Sequence, residues 1–317
     1  MYGSQSRIQG RILEVKALTE RISEFHIGAK ESALPSYKAG AHVLFDVKGG
    51  ETRAYSLISF SQIPSEPDVY CIAVQREPEG EGGSQWMHRL QSGDEISFTL
   101  PKNDFQVNTE TSAVLLAGGI GITPIISMAS ELEAAGQDFS VHYSGRSAGL
   151  MAYADILSEQ FGERFARHCD DDASALDLGV LINDLGDADL YVCGPRGMID
   201  AARARAEAAG IASERIHFEL FEAAKQDAGD TTFEIEINDG QVFSIPPGKS
   251  IIDVLEENDV DVMYDCQRGD CGICQCDVLE GTPDHRDVVL SDTERAAGDV
   301  MQICVSRALS PRLKLDI

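Results

Sequence analysis

Four cysteines fall within eleven residues of one short stretch, CQRGDCGICQC, which begins at Cys266. Cys266, Cys271 and Cys274 have the spacing C-x4-C-x2-C, and Cys304 follows thirty residues after Cys274. Zinc sites usually combine paired CxxC units or add histidines. The spacing found here is instead typical of a plant-type 2Fe–2S cluster, in which each iron takes tetrahedral thiolates. We therefore expect these four cysteines to ligate such a cluster.

The loop between these cysteines also has the glycines that a cluster requires. Gly269 and Gly272 allow the chain to turn tightly while its backbone amides point at sulfur. Cys276 is a surplus thiol, which either competes as a ligand or packs as a small apolar side chain. Cys71 and Cys169 belong to no motif, and we expect them to be structural.

A glycine-rich turn, GGIGITP, joins an apolar strand-like run to a helical pattern. Gly119 and Gly121 supply a G-x-G, and Pro124 stands where the third glycine of the dinucleotide fingerprint would be. Pro124 suits the first helical turn, and Thr123 is placed to cap it. Free amides at a helix N-terminus suit a pyrophosphate, whereas a tight turn that binds nothing is the alternative.

A second turn, CGPRGM, begins at Cys193, where another strand is expected to end and a helix to begin. Open α/β sheets bind ligands at this rim. A small, soft sulfur suits a position beside a nicotinamide ring, whereas a buried core cysteine is the alternative. Together the two turns predict a nucleotide-binding domain.

Two further groups of residues suit a phosphate or a planar ring. Arg53 and Tyr55 lie in the strand-like run RAYSL, and a period of two places them on the same side. An arginine beside an aromatic ring can hold a phosphate and stack a heterocycle. Gly82, Gly83 and Ser84 precede a short helix and form a phosphate-type turn. A solvated Arg–Tyr pair and a surface loop are the alternatives.

These motifs lie in three regions of different residue pattern. Residues 7–105 contain short β-type runs separated by Gly, Pro and Ser, which favours an antiparallel barrel. From Thr111 onward strands and helices alternate, which favours a parallel α/β sheet. The stretch EAAKQDAGD is small and polar, as in a linker. It is followed by two β-type runs joined by an NDG turn and then by a helical pattern, which together predict a small α+β domain. The expected domains are 1–108, 109–223 and 231–317, with a linker at 224–230.

The charge of the chain restricts its partners. With 26 basic and 53 acidic residues the net charge is −27, which excludes nucleic acid and an anionic membrane surface. Residues 231–317 hold 18 acidic and 7 basic residues, which serve either solubility or docking of a basic partner. The N-terminal residues have no apolar signal region and no long apolar run occurs, so we expect a cytoplasmic location with reduced thiols.

The motifs RAYSL, GGS, GGIGITP, CGP and CQRGDCGIC…C, in this order, resemble the phthalate dioxygenase reductase family. That family includes the reductases of vanillate- and carnitine-type demethylases and monooxygenases. The likeness covers essentially the whole chain. It implies a multidomain α/β and β fold: an antiparallel six-stranded FMN-binding β-barrel, a Rossmann-like parallel α/β NAD domain and a C-terminal β-grasp 2Fe–2S ferredoxin domain.

The resemblance also implies roles for individual residues. Arg53 would hold the flavin phosphate, Tyr55 would stack on the isoalloxazine, and Ser56 would hydrogen-bond near N5. No side chain is expected to act as acid or base, although Ser56 and Cys193 would lie near the hydride-transfer site. The implied flavin site comprises Arg53, Tyr55, Ser56, Leu57, Gly82, Gly83, Ser84 and Phe221. The implied nicotinamide dinucleotide site comprises Gly119, Gly121, Thr123, Pro124, Cys193, Gly194 and Pro195, and the cluster ligands are Cys266, Cys271, Cys274 and Cys304.

The implied function is an NADH-dependent reductase that takes hydride onto FMN and passes single electrons through the cluster to a separate Rieske-type oxygenase. FAD and NADPH are the less favoured cofactors, although no acidic residue for a ribose hydroxyl ends the strand before Arg146, which suits a 2′-phosphate. A cytochrome P450 or a separate redox protein is the alternative acceptor. A non-catalytic zinc or redox-sensing module is the remote alternative, and it predicts neither flavin nor NADH oxidation.

Overall fold

The computed structural model describes residues 7–31, 33–48, 51–60, 68–80, 82–221 and 229–317. The chain divides into two compact units, Met1–Glu219 and Leu220–Ile317. The first unit holds two sheets, and the second holds the cysteine loop. The predicted linker falls mostly on residues 222–228, which lie outside the described residues. The predicted domain boundaries therefore stay a prediction.

Six antiparallel strands form the first sheet, in the order β4-β3-β6-β1-β2-β5. They are β1 (Arg7–Ala17), β2 (Ile22–Ala29), β3 (His42–Asp46), β4 (Thr52–Ser56), β5 (Val69–Gln75) and β6 (Glu95–Thr99), with the short helix α1 (Gly83–Met87) before β6. Just after β4, the Ile58 N–H donates to the Cys71 carbonyl in β5 at 2.8 Å. This bond brings the two edges of the sheet together around a core that contains Phe25, Phe45 and Phe98, so the predicted barrel is confirmed.

Five parallel strands form the second sheet of this unit, in the order β11-β10-β7-β8-β9. They are β7 (Ala113–Gly118), β8 (Phe139–Gly145), β9 (Phe165–Cys169), β10 (Asp189–Cys193) and β11 (Ile216–Glu219). The helices are α2 (Ile122–Ala135), α3 (Ala154–Phe161), α4 (Leu178–Asn183) and α5 (Arg196–Ala208). One apolar cluster runs from barrel residues such as Ile22 and Ile58 into this sheet, and it joins the two sheets into one unit.

The second unit is built on a sheet in the order β13-β12-β18-β14-β16, with a separate pair β15-β17. The strands are β12 (Phe233–Glu236), β13 (Val242–Ile245), β14 (Gln275–Glu280), β15 (Pro283–Asp284), β16 (Val300–Gln302), β17 (Arg307–Ala308) and β18 (Arg312–Leu315), and the helices are α6 (Ile251–Glu257) and α7 (Asp292–Ala297). The NDG turn closes the β12–β13 hairpin, as predicted, with Gly240 at φ +84°. A capping box of Ser250 and Asp253 begins α6.

A buried ion network fixes the start of the second unit. Asp230, whose side chain is 3% exposed, accepts from both Arg286 Nη1 at 3.0 Å and Arg286 Nη2 at 2.6 Å. Arg307 Nε lies 3.7 Å from the same carboxylate, and Arg307 Nη1 donates to the Lys249 carbonyl at 3.0 Å. A bidentate arginine holds a carboxylate in one geometry, so the chain is fixed to this unit from Asp230 onward.

Among the described residues, none of the helices combines the length and apolar character needed to cross a bilayer.

Candidate cofactor sites

The three cysteines of the loop, Cys266, Cys271 and Cys274, lie with the distant Cys304 in the second unit. The thiols of Cys271 and Cys304 lie close enough to Cys266 to lower the pKa of its thiol. The Cys304 thiol likewise lowers the pKa of Cys274. Cys274 and Cys304 are buried, and the other two are partly buried. The chain therefore places four sulfurs in one shell, which is the donor set that a 2Fe–2S cluster takes.

Backbone amides point at these sulfurs. The Arg268 N–H donates to Cys266 Sγ at 3.3 Å. The Cys266 thiol and burial raise the pKa of Cys271, and the Ile273 backbone N–H opposes this rise. Amide donors of this kind stabilise thiolate charge, and they fit the charge that a bound cluster would carry.

The two loop glycines have the conformation that the loop requires. Gly269 has φ +82° and Gly272 has φ +76°, a region that side chains other than glycine rarely adopt. A Cβ on Gly269 would stand 2.7 Å from Val305 Cγ2 and 3.0 Å from Asp287 Cα. The loop therefore packs closely on the segments that precede and follow Cys304.

The pKa values of the four thiols are shifted in different directions. The neighbouring thiols of Cys271 and Cys304 lower the pKa of Cys266, and the Cys266 thiol in turn raises the pKa of Cys271 and of Cys304. A metal binds thiolates, so loading the shell would release the remaining protons. The surplus Cys276 in β14 is partly buried against the core of the unit, and burial raises its pKa to about 12. That environment suits the prediction that Cys276 packs as a small apolar side chain rather than competing as a ligand.

The sequence motifs did not single out one polar residue beside the shell. Gln302, in β16, is fully buried, with 0% of its surface exposed. Its Oε1 accepts from the Cys274 thiol at 3.5 Å, and its Nε2 donates to Gln275 Oε1 at 3.0 Å. A buried glutamine outside any recognised motif gives no sequence signal for such a contact.

In the barrel, the structure brings together two predicted phosphate-binding residues from different segments. A Cβ on Gly83 would stand 2.8 Å from Arg53 Cγ and 3.1 Å from Arg53 Nε, so only glycine leaves room for this arginine. Arg53 Nη2 donates to Glu51 Oε2 at 2.9 Å, and Arg53 Nη1 to the Thr52 carbonyl at 2.8 Å. Ser84 accepts from the Glu77 N–H at 3.0 Å, and Gly82 has φ +99°. An arginine beside a glycine at a helix start fits a phosphate.

The other predicted flavin residues continue along the same strand. Tyr55 is partly buried, its ring lies 5.9 Å from that of Phe45, and burial raises its pKa to about 12. Ser56 and Leu57 are buried, with Ser56 at the end of β4. The predicted Phe221 lies in the second unit, with 38% of its surface exposed. Its position near a flavin stays a prediction.

Helix α2 is bound directly to the segment that follows Ser56. Ser127 Oγ donates to the Leu57 carbonyl at 2.9 Å and accepts from the Ser59 N–H at 2.9 Å. Ser127 is buried, so the hydroxyl satisfies two backbone groups that water cannot reach. The segment after strand β4 and helix α2 are thereby held together inside the first unit.

The two predicted nucleotide turns pack on each other, backbone against backbone. A Cβ on Gly121 would stand 2.1 Å from the Cys193 carbonyl oxygen, and one on Gly194 would stand 3.1 Å from Gly118 Cα. A Cβ on Gly118 would stand 2.7 Å from Pro195 Cδ. Both turns lie at the carboxyl ends of adjacent strands β7 and β10, where open α/β sheets bind ligands.

Two details of this site differ from simple expectation. The prediction that Thr123 caps α2 is wrong, because the helix already begins at Ile122 and the Thr123 hydroxyl donates back to the Ile120 carbonyl at 3.1 Å. Pro124 lies in the first turn, as predicted. Cys193 is fully buried in the apolar core, which matches the alternative of a core cysteine at the position that the resemblance gives to the nicotinamide.

Two buried acids in the first unit also escaped the sequence motifs. Glu24, in β2, accepts from the Tyr153 hydroxyl at 2.6 Å, and its other oxygen lies 2.9 Å from His26 Nε2. The hydrogen bond between Tyr153 and Glu24 connects barrel strand β2 to the start of helix α3. Glu219 ends β11, with Oε1 at 3.9 Å from Nδ1 of buried His42, whose backbone pairs with Ser56. Only the tertiary structure brings these residues together, since each pair is distant in sequence.

Comparison with known proteins shows the family of the chain. Residues 235–309, which include all four predicted ligands, match the family model of the 2Fe-2S iron-sulfur cluster binding domain. The chain is 37% identical to tetrachlorobenzoquinone reductase of Sphingobium chlorophenolicum, over 98% of both chains. It is 37% identical to vanillate O-demethylase oxidoreductase of Pseudomonas putida, over 93% of this chain and 95% of the relative. The crystal structure of phthalate dioxygenase reductase, described as a modular structure for electron transfer from pyridine nucleotides to [2Fe-2S], matches with a TM-score of 0.73 and 34% identity over 98% of both chains.

The chain belongs to the phthalate dioxygenase reductase family. It is an oxidoreductase in which electrons pass from a nicotinamide through a flavin to a 2Fe–2S cluster. The predicted barrel, α/β sheet and C-terminal 2Fe–2S domain are confirmed by this membership. The alternative of a non-catalytic zinc or redox-sensing module finds no support in these relatives.

Proposed function

We propose that this reductase oxidises NADH, binds FMN and reduces a Rieske-type oxygenase. The convergence of four cysteine sulfurs carries the proposal, in a chain 37% identical to vanillate O-demethylase oxidoreductase. When bound, a flavin accepts two electrons from a reduced nicotinamide as a hydride and releases them one at a time, as a 2Fe–2S cluster requires.

The barrel residues bind and orient the flavin. Arg53 and the Gly83 backbone hold its phosphate, and the Tyr55 ring stacks on its planar heterocycle. The Ser56 hydroxyl, at the end of β4, hydrogen-bonds the ring near N5. The Arg53 side chain beside the Gly83 turn fits the phosphate of either flavin, and the family resemblance supports FMN rather than FAD. Mass spectrometry of the flavin released by heat tests this: we expect FMN, and FAD would contradict the assignment.

The glycine turn and the CGP turn hold the nicotinamide dinucleotide. Gly119 and Gly121 let the backbone approach the pyrophosphate, and Pro195 of the second turn directly precedes helix α5. Strand β8 ends at Gly145 and is followed by exposed Arg146, with no acidic residue for a ribose hydroxyl. The family resemblance nevertheless supports NADH. The ratio of kcat/KM for NADH and NADPH tests it, and a preference for NADPH that Arg146→Ala removes would contradict it.

The acceptor is tested with protein purified without air. We expect iron and flavin in each chain and loss of both visible absorption bands on addition of NADH. A purified vanillate- or carnitine-type Rieske oxygenase should then consume NADH in proportion to product formed. Faster reduction of a cytochrome P450 or of a separate redox protein in the same assay would contradict the Rieske assignment.

A quinone is a second candidate acceptor, because the chain is also 37% identical to tetrachlorobenzoquinone reductase. The two candidates differ in the size of what they reduce. A small quinone needs no protein interface, whereas an oxygenase does. A kcat/KM for tetrachlorobenzoquinone that exceeds the value for every oxygenase tested would favour the quinone.

A further inference from the structure

We propose that Gln302 turns its side-chain amide over when the cluster is bound and donates an N–H···S hydrogen bond to Cys274. This bond raises the reduction potential of the cluster. The inference rests on the proposed ligation of the cluster by Cys274. It assigns a tuning role to a residue that neither the cysteine motif nor the family comparison singles out.

The structure shows Gln302 with its amide oriented for a protonated thiol. Oε1 accepts from the Cys274 thiol at 3.5 Å, and Nε2 donates to Gln275 Oε1 at 3.0 Å. Gln302 is 0% exposed and Cys274 is 3% exposed, so water does not compete for this contact. The two polar ends of the amide are therefore satisfied by one sulfur and one neighbouring side chain.

Ligation of iron changes the Cys274 sulfur from a hydrogen-bond donor to an acceptor. A cysteine binds iron as the thiolate, so Cys274 Sγ becomes an acceptor without a proton. The Gln302 Oε1 is also an acceptor, and two buried acceptors at this distance repel each other. Turning the amide by about half a revolution exchanges oxygen and nitrogen at the same positions and directs an N–H at the sulfur.

The neighbouring strand permits this reversal. Gln275 pairs with Gln302 directly across the β14–β16 ladder, so the two side chains stay adjacent. Gln275 is exposed to solvent. Its own amide can therefore turn and donate Nε2–H to Gln302 Oε1. The result is a chain of two donors that runs from solvent to the buried sulfur.

The donor has a defined effect on the cluster. One-electron reduction makes the cluster more negative, so a donor to a ligand sulfur stabilises the reduced form more than the oxidised form. The contact is dry, which strengthens it. Gln302 thus favours transfer of electrons from the flavin to the cluster.

The first test measures the midpoint potential of the cluster in the holoenzyme by redox titration with EPR detection. Gln302→Met keeps an unbranched side chain and removes the donor. We expect the equilibrium constant for cluster reduction to fall about tenfold, which is a decrease of about 59 mV for one electron. The control Gln275→Met changes the exposed partner alone and should shift that constant less than twofold. Equal potentials in wild type and Gln302→Met would overturn the proposal.

A second pair of variants tests the orientation of the amide. Gln275→Glu offers only acceptors at neutral pH and holds the Gln302 amide in the unfavourable orientation, so the potential should fall as in Gln302→Met. Gln275→Lys offers only donors and should keep the wild-type potential. Titration in 1 M salt, where the Debye length is about 3 Å, removes most of the effect of the added charge. Indistinguishable potentials for the two variants would overturn the reversal.

A third measurement uses the wild-type holoenzyme and does not depend on the variants assembling a cluster. Protein labelled with ¹⁵N in its glutamine side chains should show a ¹⁵N hyperfine coupling to the reduced cluster. We expect Gln275→Met to keep this coupling, and its absence in the wild-type protein would overturn the proposal. If the wild-type protein contains no iron and no EPR signal of a reduced cluster, ligation by Cys274 fails as well, and that outcome differs from an intact cluster without a coupling.

Discussion

Gly121 and the Cys193 carbonyl lie so close that a Cβ atom would stand 2.1 Å from the oxygen. The glycine turn can therefore approach the CGP turn only because a side chain is absent. The position has an ordinary negative φ of −59°, so the requirement comes from packing and not from backbone conformation. At this scale a single atom decides whether the glycine turn and the CGP turn can meet.

Gly121→Ala should displace the CGP turn and raise KM for NADH at least about tenfold, since small misplacements at a reacting site have large effects. Flavin content should stay unchanged, because the barrel residues are not touched. Steady-state kinetics and flavin absorbance check both points. The matched control is Gly197→Ala in α5, where a Cβ meets nothing within 4 Å. An equal KM for wild type and Gly121→Ala would refute the assignment.

Arg53→Gln should weaken flavin binding about ten- to a hundredfold, because hydrogen bonds to a charged group contribute about 1.5–3 kcal/mol. Equilibrium dialysis of the deflavinated protein with FMN measures the change. Arg21→Gln is the control, since Arg21 pairs with Glu77 at 3.0 Å much as Arg53 pairs with Glu51 at 2.9 Å. The same loss in both variants would indicate general destabilisation rather than a phosphate site.

At the scale of elements, a few buried polar contacts connect the two sheets of the first unit. Ser127 joins α2 to the segment after β4, and Glu24 joins β2 to Tyr153 at the start of α3. Tyr153 adopts φ +65°, which is unusual for a residue other than glycine. The hydrogen bond to Glu24 is one contact that holds the tyrosine there.

Tyr153→Phe should lower the free energy of unfolding of the first unit by about 1.5–3 kcal/mol, because it removes a donor from the buried Glu24 carboxylate. Tyr143→Phe is the matched control. Within the described residues, the buried Tyr143 hydroxyl has no hydrogen-bond partner, so its removal should be neutral or stabilising. Denaturant titrations followed by flavin fluorescence check the pair, and the reverse order of stability would contradict the prediction.

The stability of the first unit should depend on pH through His142 in β8. Burial, and then His168 stacked beside it, lower the pKa of His142 from 6.5 to about 4. The folded protein holds this ring neutral, so its contribution is complete above pH 6.5 and is lost as the pH falls from 6.5 towards 4. The unfolding free energy of His142→Asn should fall less steeply over this range. Parallel slopes for variant and wild type would contradict the assignment.

The sequence predicts those elements whose pattern is local. The spacing of Cys266, Cys271 and Cys274 predicts the 2Fe–2S domain directly, and the NDG turn predicts the hairpin of that domain. The segment ISEFHIGA of strand β2 gives no alternating pattern, because Glu24 and Phe25 are neighbours and both are buried. From sequence alone a glutamate is expected at the surface, and only its tertiary hydrogen-bond partner explains why Glu24 is buried.

The candidate sites follow the same division. Glycine turns are visible in the sequence because turn geometry restricts residue type locally. Contacts such as Glu24 with Tyr153, or His42 near Glu219, join residues from distant segments. Their chemistry depends on burial and distance, which no short motif encodes. Gln302 belongs to this second group, although it lies only two residues before a predicted ligand.

At the scale of the whole molecule, acidic charge is concentrated beside the cluster: residues 231–317 contain 18 acidic and 7 basic residues. If this charge steers a basic acceptor, the second-order rate of oxygenase reduction should fall as salt rises from 20 to 200 mM, by roughly tenfold for steered encounters. Stopped-flow traces provide the measurement. Reduction of a neutral quinone serves as the control and should not change. Equal salt dependence for both acceptors would leave solubility as the role of the charge.

The order of strands in the second unit has a consequence for biosynthesis. Strand β18 lies in the centre of its sheet, between β12 and β14, although it is the last strand in the sequence. The first unit is complete at Glu219 and can fold on the ribosome while the rest is translated, which takes roughly 5–20 s for about 100 residues. The sheet that supports the cysteine loop closes only after β18 has emerged. Iron and sulfide therefore meet a finished shell only after the whole second unit has emerged, when the first unit can already be folded.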